Sequence, residues 1–585
     1  MFSVLRKLSW FFKENWKRYT LAVALLIFVG ILEVVPPKLI GMAIDDIHIG
    51  AMTGNKIAEY LVILLVIMIS SYVITYVWMY KLFGGAFLVE RKLRSRFMNH
   101  LLSMSPTFFE KNRTGDLMAR ATNDLKAISI TAGFGILTLV DSSVWMLTLI
   151  ITMGFLISWK LTLAAILPLP IMAYIMQVYG KRIHTRFMEA QDAFGELNDR
   201  VLESVAGVRV IRAYVQEKAD AGRFHQLTEE VFQKNLKVAR IDSLFDPTVK
   251  ILVGISYLIG LGYGAYLVFN QAITLGDLVS FNVYLGMLIW PMFAIGELIN
   301  IMQRGNASLD RVNETLSFQE VVENPSQPKE VSSVERIDYN EVNFRYPSSS
   351  VDNLKNINVQ LLQGQTLGIV GKTGSGKTTF IKQLLRQYPL GTGELAISNI
   401  PLEEQTLDQV RQWIGYVPQD HVLFSRSVRE NILFGNKEAS EQELEGAIDL
   451  AAFRKDLQML PEGLETLVGE KGVALSGGQK QRISIARALI RDPEILILDD
   501  SLSAVDAKTE KRIIDNIRQA RKDKTTIITT HRMSAVAHAD CIIVLDEGGI
   551  IEKGTHEELL IQDGWYKEQY ILQQVENTLE EEVKA

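Results

Sequence analysis

The sequence is poor in cysteine and shows no strong excess of either charge. A single cysteine among 585 residues excludes an internal disulfide framework. Cys541 begins the apolar run Cys541–Leu545, where we expect a small buried hydrophobic residue. With 61 Lys and Arg against 67 Asp and Glu, the formal net charge is −6. The composition therefore shows no excess of basic residues of the kind that attracts nucleic acid, and no nucleic-acid partner is predicted.

The N-terminus lacks the small-residue cleavage site that follows a short apolar core in secretory signal peptides. Residues 1–18 are instead basic and aromatic. This composition predicts an amphipathic elbow helix that lies on the membrane surface and leads into a first membrane span.

Long apolar runs are abundant before about Leu316. Six segments of about 20 residues have the length and composition needed to cross a bilayer. They are Tyr19–Ile44, Ala58–Tyr80, Ile130–Ser158, Leu161–Tyr179, Val249–Phe269 and Leu278–Met302.

Arg and Lys are concentrated in the loops after the second and the fourth predicted spans. These residues are Arg91, Lys92, Arg94, Arg96, Lys111, Arg113 and Arg120, then Lys181, Arg182, Arg186, Arg200, Arg209 and Arg212. The positive-inside rule then places both loops, the N-terminus and the later soluble region in the cytosol, with the spans in the plasma membrane.

The same loops show apolar residues at helical spacing, over Glu90–Met104 and Gly180–Arg240. We expect the spans to continue there as long cytosolic helices, since each residue adds 1.5 Å. Two short interruptions, around Thr114–Asp124 and Ala206–Tyr214, are the predicted cytosolic tips of these long helices. They are either contact points for a cytosolic motor or ordinary surface turns.

Two acids, Glu33 and Asp141, lie inside predicted spans. Ionisable groups are costly in lipid, so both are expected to face a cavity or a partner group. They are candidate residues of a substrate cavity that attracts cationic amphiphiles, or paired structural groups near an interface.

A phosphate-binding loop follows in the soluble region. The segment Gly371–Thr378 reads GKTGSGKT, matching G-x-x-x-x-G-K-[ST], between the strand-like Thr366–Val370 and the helix-forming Thr379–Arg386. Lys377 is expected to reach the β- and γ-phosphates of ATP, and Thr378 to ligate Mg²⁺. The candidate nucleotide-binding residues here are Gly371, Lys372, Thr373, Gly374, Ser375, Gly376, Lys377, Thr378 and Thr379.

Two further patterns point to phosphate chemistry. The apolar strand Ile495–Leu498 ends in Asp499, the expected Mg²⁺ partner beside the loop. A second glycine-rich helix start, which can cradle an anion, precedes the helical run Lys480–Ile490. It consists of Leu475, Ser476, Gly477, Gly478 and Gln479.

In this order and spacing, the phosphate loop, LSGGQ and ILILD resemble the motifs of ATP-binding-cassette (ABC) proteins. The resemblance implies that Tyr346 in FRYP stacks on adenine and that Gln419 in VPQD links Mg²⁺ and the attacking water to the membrane domain. It also implies that Asp506 in SAVD is the inter-domain aspartate, and that His531 in ITTHR is the switch histidine, which responds to the γ-phosphate.

The resemblance covers nearly the whole chain and implies a half-transporter of the type IV exporter fold. The expected fold is multi-domain: an all-α six-helix transmembrane domain, then an α/β RecA-like P-loop cassette with a helical subdomain. In that family the two tips are coupling helices. Two cassettes pair head to tail, so that LSGGQ of each chain faces the ATP of the other.

Composition shifts set the expected boundaries. After the elbow, they are a transmembrane domain over 19–315, a linker over 316–335, a nucleotide-binding domain over 336–575 and an acidic tail over 576–585. The linker contains the loop-like Asn324–Pro328, and the strand-like Ile337–Arg345 follows it.

The sequence departs from the family at Asp500, where the catalytic base after the Mg²⁺ aspartate is normally Glu. Asp is one methylene shorter, and a misplacement of about 1 Å can cost on the order of 10²-fold in rate. Leu467 is a smaller departure, since many exporters have Glu there, and it puts one contact to the coupling loops in doubt.

An intact LSGGQ with a weakened base resembles one subunit of asymmetric heterodimeric drug exporters. The expected partners are a second half-transporter, membrane lipid and hydrophobic, often cationic, small molecules. The alternatives are a homodimeric lipid or peptide exporter and a non-transporting sensor or channel module.

Overall fold

A computed structural model describes residues 3–319, 322–469 and 473–584. The chain forms two compact units. One comprises Met1–Leu102 with Thr114–Phe318, and the other Ser103–Arg113 with Gln319–Ala585. The second unit therefore includes a short segment from within the first half of the chain.

The first unit is entirely helical over the residues described. Its helices are Ser3–Lys7, Ser9–Glu14, Trp16–Glu33, Val35–His48, Gly54–Ser103, Thr114–Ala119, Leu125–Ala132, Phe134–Val140, Met146–Met153, Trp159–Ile166, Pro168–Ala206, Val208–Ala213, Glu217–Asp242, Phe245–Phe269, Leu275–Met287 and Ile289–Ser317, with π-helical turns at Arg120–Asp124, Asp141–Trp145 and Gly154–Ser158. The predicted elbow is two short helices, separated at Leu8 and ended at Asn15.

Five helical stretches of the described chain are long and apolar enough to cross a membrane, whereas the sequence predicts six. They are Trp16–His48, Gly54–Ser103, Thr114–Ile166, Glu217–Phe269 and Leu275–Ser317. The predicted fourth span does not form a separate stretch. Only one extended residue, Ser158 (φ −168°), separates the helices around it, so the start of that span falls within Thr114–Ile166. Its remainder opens Pro168–Ala206, whose later residues mix charged and apolar side chains.

The long helical continuations predicted beyond the spans are present. Gly54–Ser103 is one helix of 50 residues, and Pro168–Ala206 has 39. An interruption is also present at the second predicted tip, where the long helix ends at Ala206 and the six-residue helix Val208–Ala213 follows Gly207. Its role as a contact point stays a prediction.

The first tip was misplaced in the sequence prediction. Thr114–Asp124 is helical, and the interruption lies earlier, at Ser103–Arg113, around the short helix Pro106–Lys111. Proline has no N–H to donate and disfavours helical backbone in the residue before it. Ser105 is accordingly extended (ψ 162°), so the long helix ends ahead of Pro106.

The second unit is an α/β cassette with ten strands among its described residues. They are β1 Arg336–Phe344, β2 Leu354–Leu362, β3 Thr366–Gly371, β4 Thr392–Ile397, β5 Ile400–Pro401, β6 Ile414–Val417, β7 Ile495–Asp499, β8 Thr525–Thr529, β9 Cys541–Asp546 and β10 Gly549–Gly554. The helices are Pro106–Lys111, Lys377–Leu384, Leu407–Trp413, Val428–Leu433, Glu441–Leu450, Arg454–Leu457, Gly477–Leu489, Ala507–Ala520, His556–Ile561 and Trp565–Lys584, with 3₁₀ turns at Leu402–Glu404, Gly463–Glu465 and Met533–Ala535.

The strands form an antiparallel sheet in the order β2-β1-β4-β5 and a six-stranded sheet in the order β10-β9-β3-β8-β7-β6. In the larger sheet β9, β3, β8, β7 and β6 are parallel, and β10 is antiparallel to β9. Every residue of β7 is buried, as expected for a parallel strand covered on both faces. Ile495 and Ile497 pack into one core, whereas Leu496 and Leu498 pack into the other with helices such as Glu441–Leu450.

The chain ends in the helix Trp565–Lys584. This helix continues through the segment that the sequence predicts as an acidic tail from Glu576. Glu and Leu, which are frequent in that segment, are good helix formers, and this accounts for the continuation.

Candidate nucleotide-binding site

The topology brings the predicted nucleotide-binding segments to one edge of the parallel sheet. The phosphate loop follows β3, Asp499 is the last residue of β7, His531 follows β8 and Gln419 follows β6. These four strands are parallel, so their carboxyl ends meet at the same edge, where open α/β sheets bind their ligands.

The phosphate loop requires glycine at both of its ends. Gly371 and Gly376 have φ of +145° and +107°, values that side-chain-bearing residues rarely adopt. A Cβ on Gly371 would lie 2.1 Å from the Leu545 carbonyl oxygen, and one on Gly376 would lie 2.8 Å from that of Asn353. The turn leads directly into the helix Lys377–Leu384, whose N-terminus carries partial positive charge.

The loop fits a phosphate group in two respects. The Ser375 hydroxyl is buried, with the residue 3% exposed, and has no hydrogen-bond partner among the described residues. The Lys377 ammonium donates to the carbonyl oxygens of Gly371 (2.8 Å) and Lys372 (2.9 Å), which hold it within the loop. Burial lowers the pKa of Lys377, whereas Asp500 and Asp499 raise it. A cation and an unsatisfied donor therefore lie in one narrow cradle.

Asp499 is the centre of a hydrogen-bonded group. Its Oδ1 accepts from Thr378 (3.1 Å) and from Thr529 (2.7 Å), and its Oδ2 accepts from Tyr416 (3.3 Å). Asp499 is 1% exposed. Thr378 and Asp499 are thus in contact, as two ligands of one Mg²⁺ must be close together, and their oxygens are the donors that Mg²⁺ prefers.

Sequence reasoning did not assign Thr529 or Tyr416 to this group. Both belong to the apolar strands β8 and β6, where a polar residue near a carboxyl end is a weak signal. Tyr416 lies 83 positions from Asp499, so pairing of the two needs the sheet order.

Asp500 lies next to Asp499 in a constrained backbone. Its φ is +45°, and its N–H donates to the Thr529 carbonyl (3.0 Å) and hydroxyl (3.1 Å). Burial raises the pKa of the Asp500 carboxyl, against the opposing influence of His531. Burial, together with the Lys377 cation, lowers the pKa of His531, whereas Asp500 raises it. Lys377, Asp500 and His531 therefore lie within electrostatic reach of one another.

Tyr346 lies beside the loop, whereas the side chain of Gln419 is exposed. The Tyr346 hydroxyl donates to Thr379 (3.1 Å), and its ring packs edge-to-face on Tyr388, with centroids 4.9 Å apart. Tyr388 in turn donates to Glu110 on Pro106–Lys111. The adenine and water-linking roles of these residues remain predictions.

The LSGGQ segment does not join the loop within this chain. No hydrogen bond links 475–479 to 371–379 among the described residues. Ser476 and Gln479 form a capping box at the start of Gly477–Leu489. Ser476 and Gly477 are exposed, so the N-terminus of this 13-residue helix is open to an anion from outside the chain.

Asp506 begins the helix Ala507–Ala520, and its carboxylate accepts from the Thr509 N–H (3.0 Å). Hydrogen bonds from Thr509 lower the pKa of Asp506. Arg532, which sequence reasoning missed, ties the segment His531–Met533, called the switch segment below, to this region. It donates to the carbonyls of Val505 (3.1 Å) and Ser503 (3.2 Å).

The two acids of the predicted spans lie in the first unit. Asp141 is in the π-helical turn Asp141–Trp145, and its Oδ2 accepts from the Trp290 indole N–H at 2.9 Å. Glu33 ends the helix Trp16–Glu33 and is close enough to Asp141 for their charges to interact. Neither acid forms an ion pair among the described residues.

Family models match both parts of the chain. A model described as "ABC transporter transmembrane region" matches residues 19–292, and one described as "ABC transporter" matches residues 354–503.

Individual proteins match over nearly the full length. The "Probable multidrug resistance ABC transporter ATP-binding/permease protein YheI" of Bacillus subtilis (strain 168) is 65% identical, covering 98% of each chain. The "Multidrug resistance-like ATP-binding protein MdlA" of Buchnera aphidicola subsp. Schizaphis graminum is 43% identical, covering 99% of each. The solved structure of a bacterial Atm1-family ABC exporter with ATP bound matches with a TM-score of 0.75 and 25% identity, over 95% of this chain and 98% of the other.

Proposed function

Because the chain belongs to the ABC transporter family, with a membrane region followed by an ATP-binding cassette, we propose that it is one half of an ATP-driven multidrug exporter. Both relatives described above carry multidrug resistance in their names. In overall pattern the chain resembles BmrC, the Asp-bearing half of the bacterial BmrC/BmrD exporter. The functional unit is then a heterodimer in the plasma membrane, with both cassettes in the cytosol.

The observation that carries the proposal of an asymmetric exporter is the anchored backbone of Asp500. Two hydrogen bonds from its N–H to Thr529 fix the Cα, and Thr529 also donates to the buried Asp499. The main chain at residue 500 cannot then move toward the nucleotide to compensate for an Asp side chain that is shorter than Glu. The Asp500 carboxylate falls short of the position that Glu would reach, so ATP hydrolysis at this loop is slow.

The loop still binds ATP in this account. Lys377 and the N–H groups of Gly371–Thr378 hold the phosphates, and Tyr346 holds the adenine. Thr378, Asp499 and Gln419 would hold Mg²⁺, which neutralises phosphate charge when it is bound. The lowered pKa of His531 keeps its imidazole neutral near pH 7, so it can donate one hydrogen bond to a γ-phosphate.

The open LSGGQ helix serves the nucleotide of the partner subunit. Its exposed N-terminus supports this role, as does the lack of a hydrogen bond to the loop of its own chain among the residues that the structure describes. The faster hydrolysis then takes place opposite this chain's own signature, with a Glu that the partner supplies. When the two cassettes close, the two tips transmit this movement to the membrane helices.

The proposed substrates are hydrophobic cations. Glu33 and Asp141 lie near each other without a basic partner among the described residues, and the indole of the aromatic residue Trp290 donates a hydrogen bond to Asp141. Two carboxylates next to an aromatic ring favour a lipophilic cation over a neutral compound or an anion.

Two experiments test the proposal. The first measures ATPase activity of the chain expressed alone in membranes. We expect little turnover, and robust turnover that Asp500→Asn abolishes would refute the heterodimer and favour a homodimeric exporter.

The second measures ATP-driven accumulation of a cationic dye in inverted vesicles that hold this chain and a candidate partner, a half-transporter with Glu after its own Mg²⁺ aspartate. We expect uptake that depends on both chains. No uptake with a folded, ATP-binding pair would refute transport and favour a sensor or channel module.

A further inference from the structure

One side chain of the C-terminal helix makes two hydrogen bonds to the switch segment. Gln573, on Trp565–Lys584, donates from Nε2 to the carbonyl oxygen of His531 at 2.7 Å. Its Oε1 accepts from the N–H of Met533 at 2.9 Å. The two bonds bracket Arg532 and hold the main chain on both sides of it.

We propose that Gln573 is the positioning residue of His531, and that it sets how well this cassette distinguishes ATP from ADP. This inference rests on the proposed role of His531 at the γ-phosphate. Gln573 does not touch the nucleotide. It fixes the peptide group of His531, and with it the direction in which the imidazole leaves the main chain.

The amide of Gln573 can make both bonds at once, because it carries a donor and an acceptor on one carbon. Glutamate has the same shape and could still accept from Met533. It cannot donate to His531, however, and would place a carboxylate oxygen against that carbonyl. Alanine loses both bonds, so Gln573→Glu and Gln573→Ala remove the His531 bond in different ways.

The helix that carries Gln573 is firmly placed. At its start the Glu552 carboxylate accepts from the N–H groups of Trp565 (2.6 Å) and Tyr566 (3.2 Å). Tyr566 is fully buried, and its hydroxyl is 2.8 Å from Nδ1 of His556. Gln573 lies about two turns further along the helix. A side chain on an anchored helix can hold a loop, whereas one on a frayed tail could not.

The opposite side of the switch segment is held independently. Arg532 donates to Ser503 and Val505 and pairs with the buried Glu510. Loss of Gln573 therefore leaves the segment attached through Arg532 but releases the His531 peptide. The cassette should remain folded while the imidazole loses its fixed orientation.

The groups that face His531 explain why its orientation matters. Lys377 and Asp500 are its electrostatic neighbours, and both belong to the phosphate-binding edge. An imidazole that turns away would lose its contact with a γ-phosphate but would leave the α- and β-phosphates with the loop. ATP binding should then weaken, whereas ADP binding should not.

The test measures the dissociation constants of Mg-ATP and Mg-ADP for the full-length chain in lipid nanodiscs, by isothermal titration calorimetry. His531→Ala defines the loss of the γ-phosphate contact. We expect Gln573→Ala and Gln573→Glu each to lower ATP affinity about 5- to 10-fold, as for the loss of one hydrogen bond, with ADP affinity unchanged. Glu576→Ala, an exposed change on the same helix, is the matched control and should alter neither.

The double variant His531→Ala/Gln573→Ala should be no worse than His531→Ala, because Gln573 acts through that histidine. Equal weakening of ATP and ADP, no change in either, or a further loss in the double variant would overturn the inference. If His531→Ala itself leaves ATP and ADP binding unchanged, the assignment of His531 in the proposed function is wrong. Gln573→Glu keeps the side-chain volume and covers a failure of Gln573→Ala to fold.

Discussion

Lengthening Asp500 by one methylene is the most informative change in the cassette. In Asp500→Glu the backbone should stay in place, because the N–H of residue 500 remains bonded to the carbonyl and hydroxyl of Thr529 at 3.0 and 3.1 Å. The carboxylate therefore advances by about the length of one methylene group. A correction of about 1 Å corresponds to about 10²-fold in rate, or about 2.7 kcal/mol in activation free energy.

The variant carries a small cost in stability. Residue 500 has φ +45°, a left-handed conformation in which Asp is found more often than longer side chains. We expect Asp500→Glu to lower the free energy of unfolding by no more than about 1–2 kcal/mol. The cassette should fold and bind ATP as before.

The assay is steady-state ATPase activity of the purified full-length chain in lipid nanodiscs, with Asp500→Asn as the matched control that keeps the side-chain length but removes the charge. We predict the order Glu, then Asp, then Asn, with about 10²-fold between the first two. Equal turnover by Asp and Glu would show that side-chain length does not limit the rate, and would refute the reasoning from the anchored backbone.

Two further predictions concern other parts of the chain. Glu33→Gln and Asp141→Asn should each raise the concentration of a lipophilic cation needed for half-maximal transport by about 10-fold, and leave a neutral substrate of similar size unaffected; an equal effect on both would contradict a charge-based preference. For His531 the folded-state pKa lies below its ordinary value of 6.5, so the unfolded chain binds this proton more readily. Stability of the nucleotide-free protein should therefore fall as the pH drops below about 6.5 toward the lower folded-state pKa. Thermal unfolding of the wild type and His531→Gln across pH 5–8 should show this part of the loss only in the wild type.

The sequence was sufficient for those features that a local pattern encodes. The phosphate loop is bounded by β3 and by Lys377–Leu384, close to the predicted flanks, and β7 ends at the predicted aspartate. Each of these features can be recognised within a few positions of the sequence. The signals are the spacing of the glycines, and an apolar strand that ends in a polar residue.

Features that depend on contacts across the sheet could not be predicted in the same way. Thr529, Tyr416 and Gln573 have no pattern of their own, and their partners are 30 to 83 positions away. The order of strands brings Thr529 and Tyr416 to Asp499, and the docking of the last helix brings Gln573 to His531.

The misplaced first tip has a different cause. Apolar residues at helical spacing continue on both sides of Pro106, so periodicity alone does not give the break. The backbone restriction that proline imposes on Ser105 ends the long helix, and this local rule was the better signal.

The central claim is that this chain's phosphate loop holds ATP more than it cleaves it. The most direct measurement incubates the purified full-length chain in nanodiscs with γ-labelled Mg-ATP, removes free nucleotide by rapid gel filtration and determines the ratio of retained ATP to ADP. Our account predicts that the retained nucleotide is mainly ATP and is absent in Lys377→Ala. Retention mainly of ADP, with continued release of phosphate by the lone chain, would contradict it.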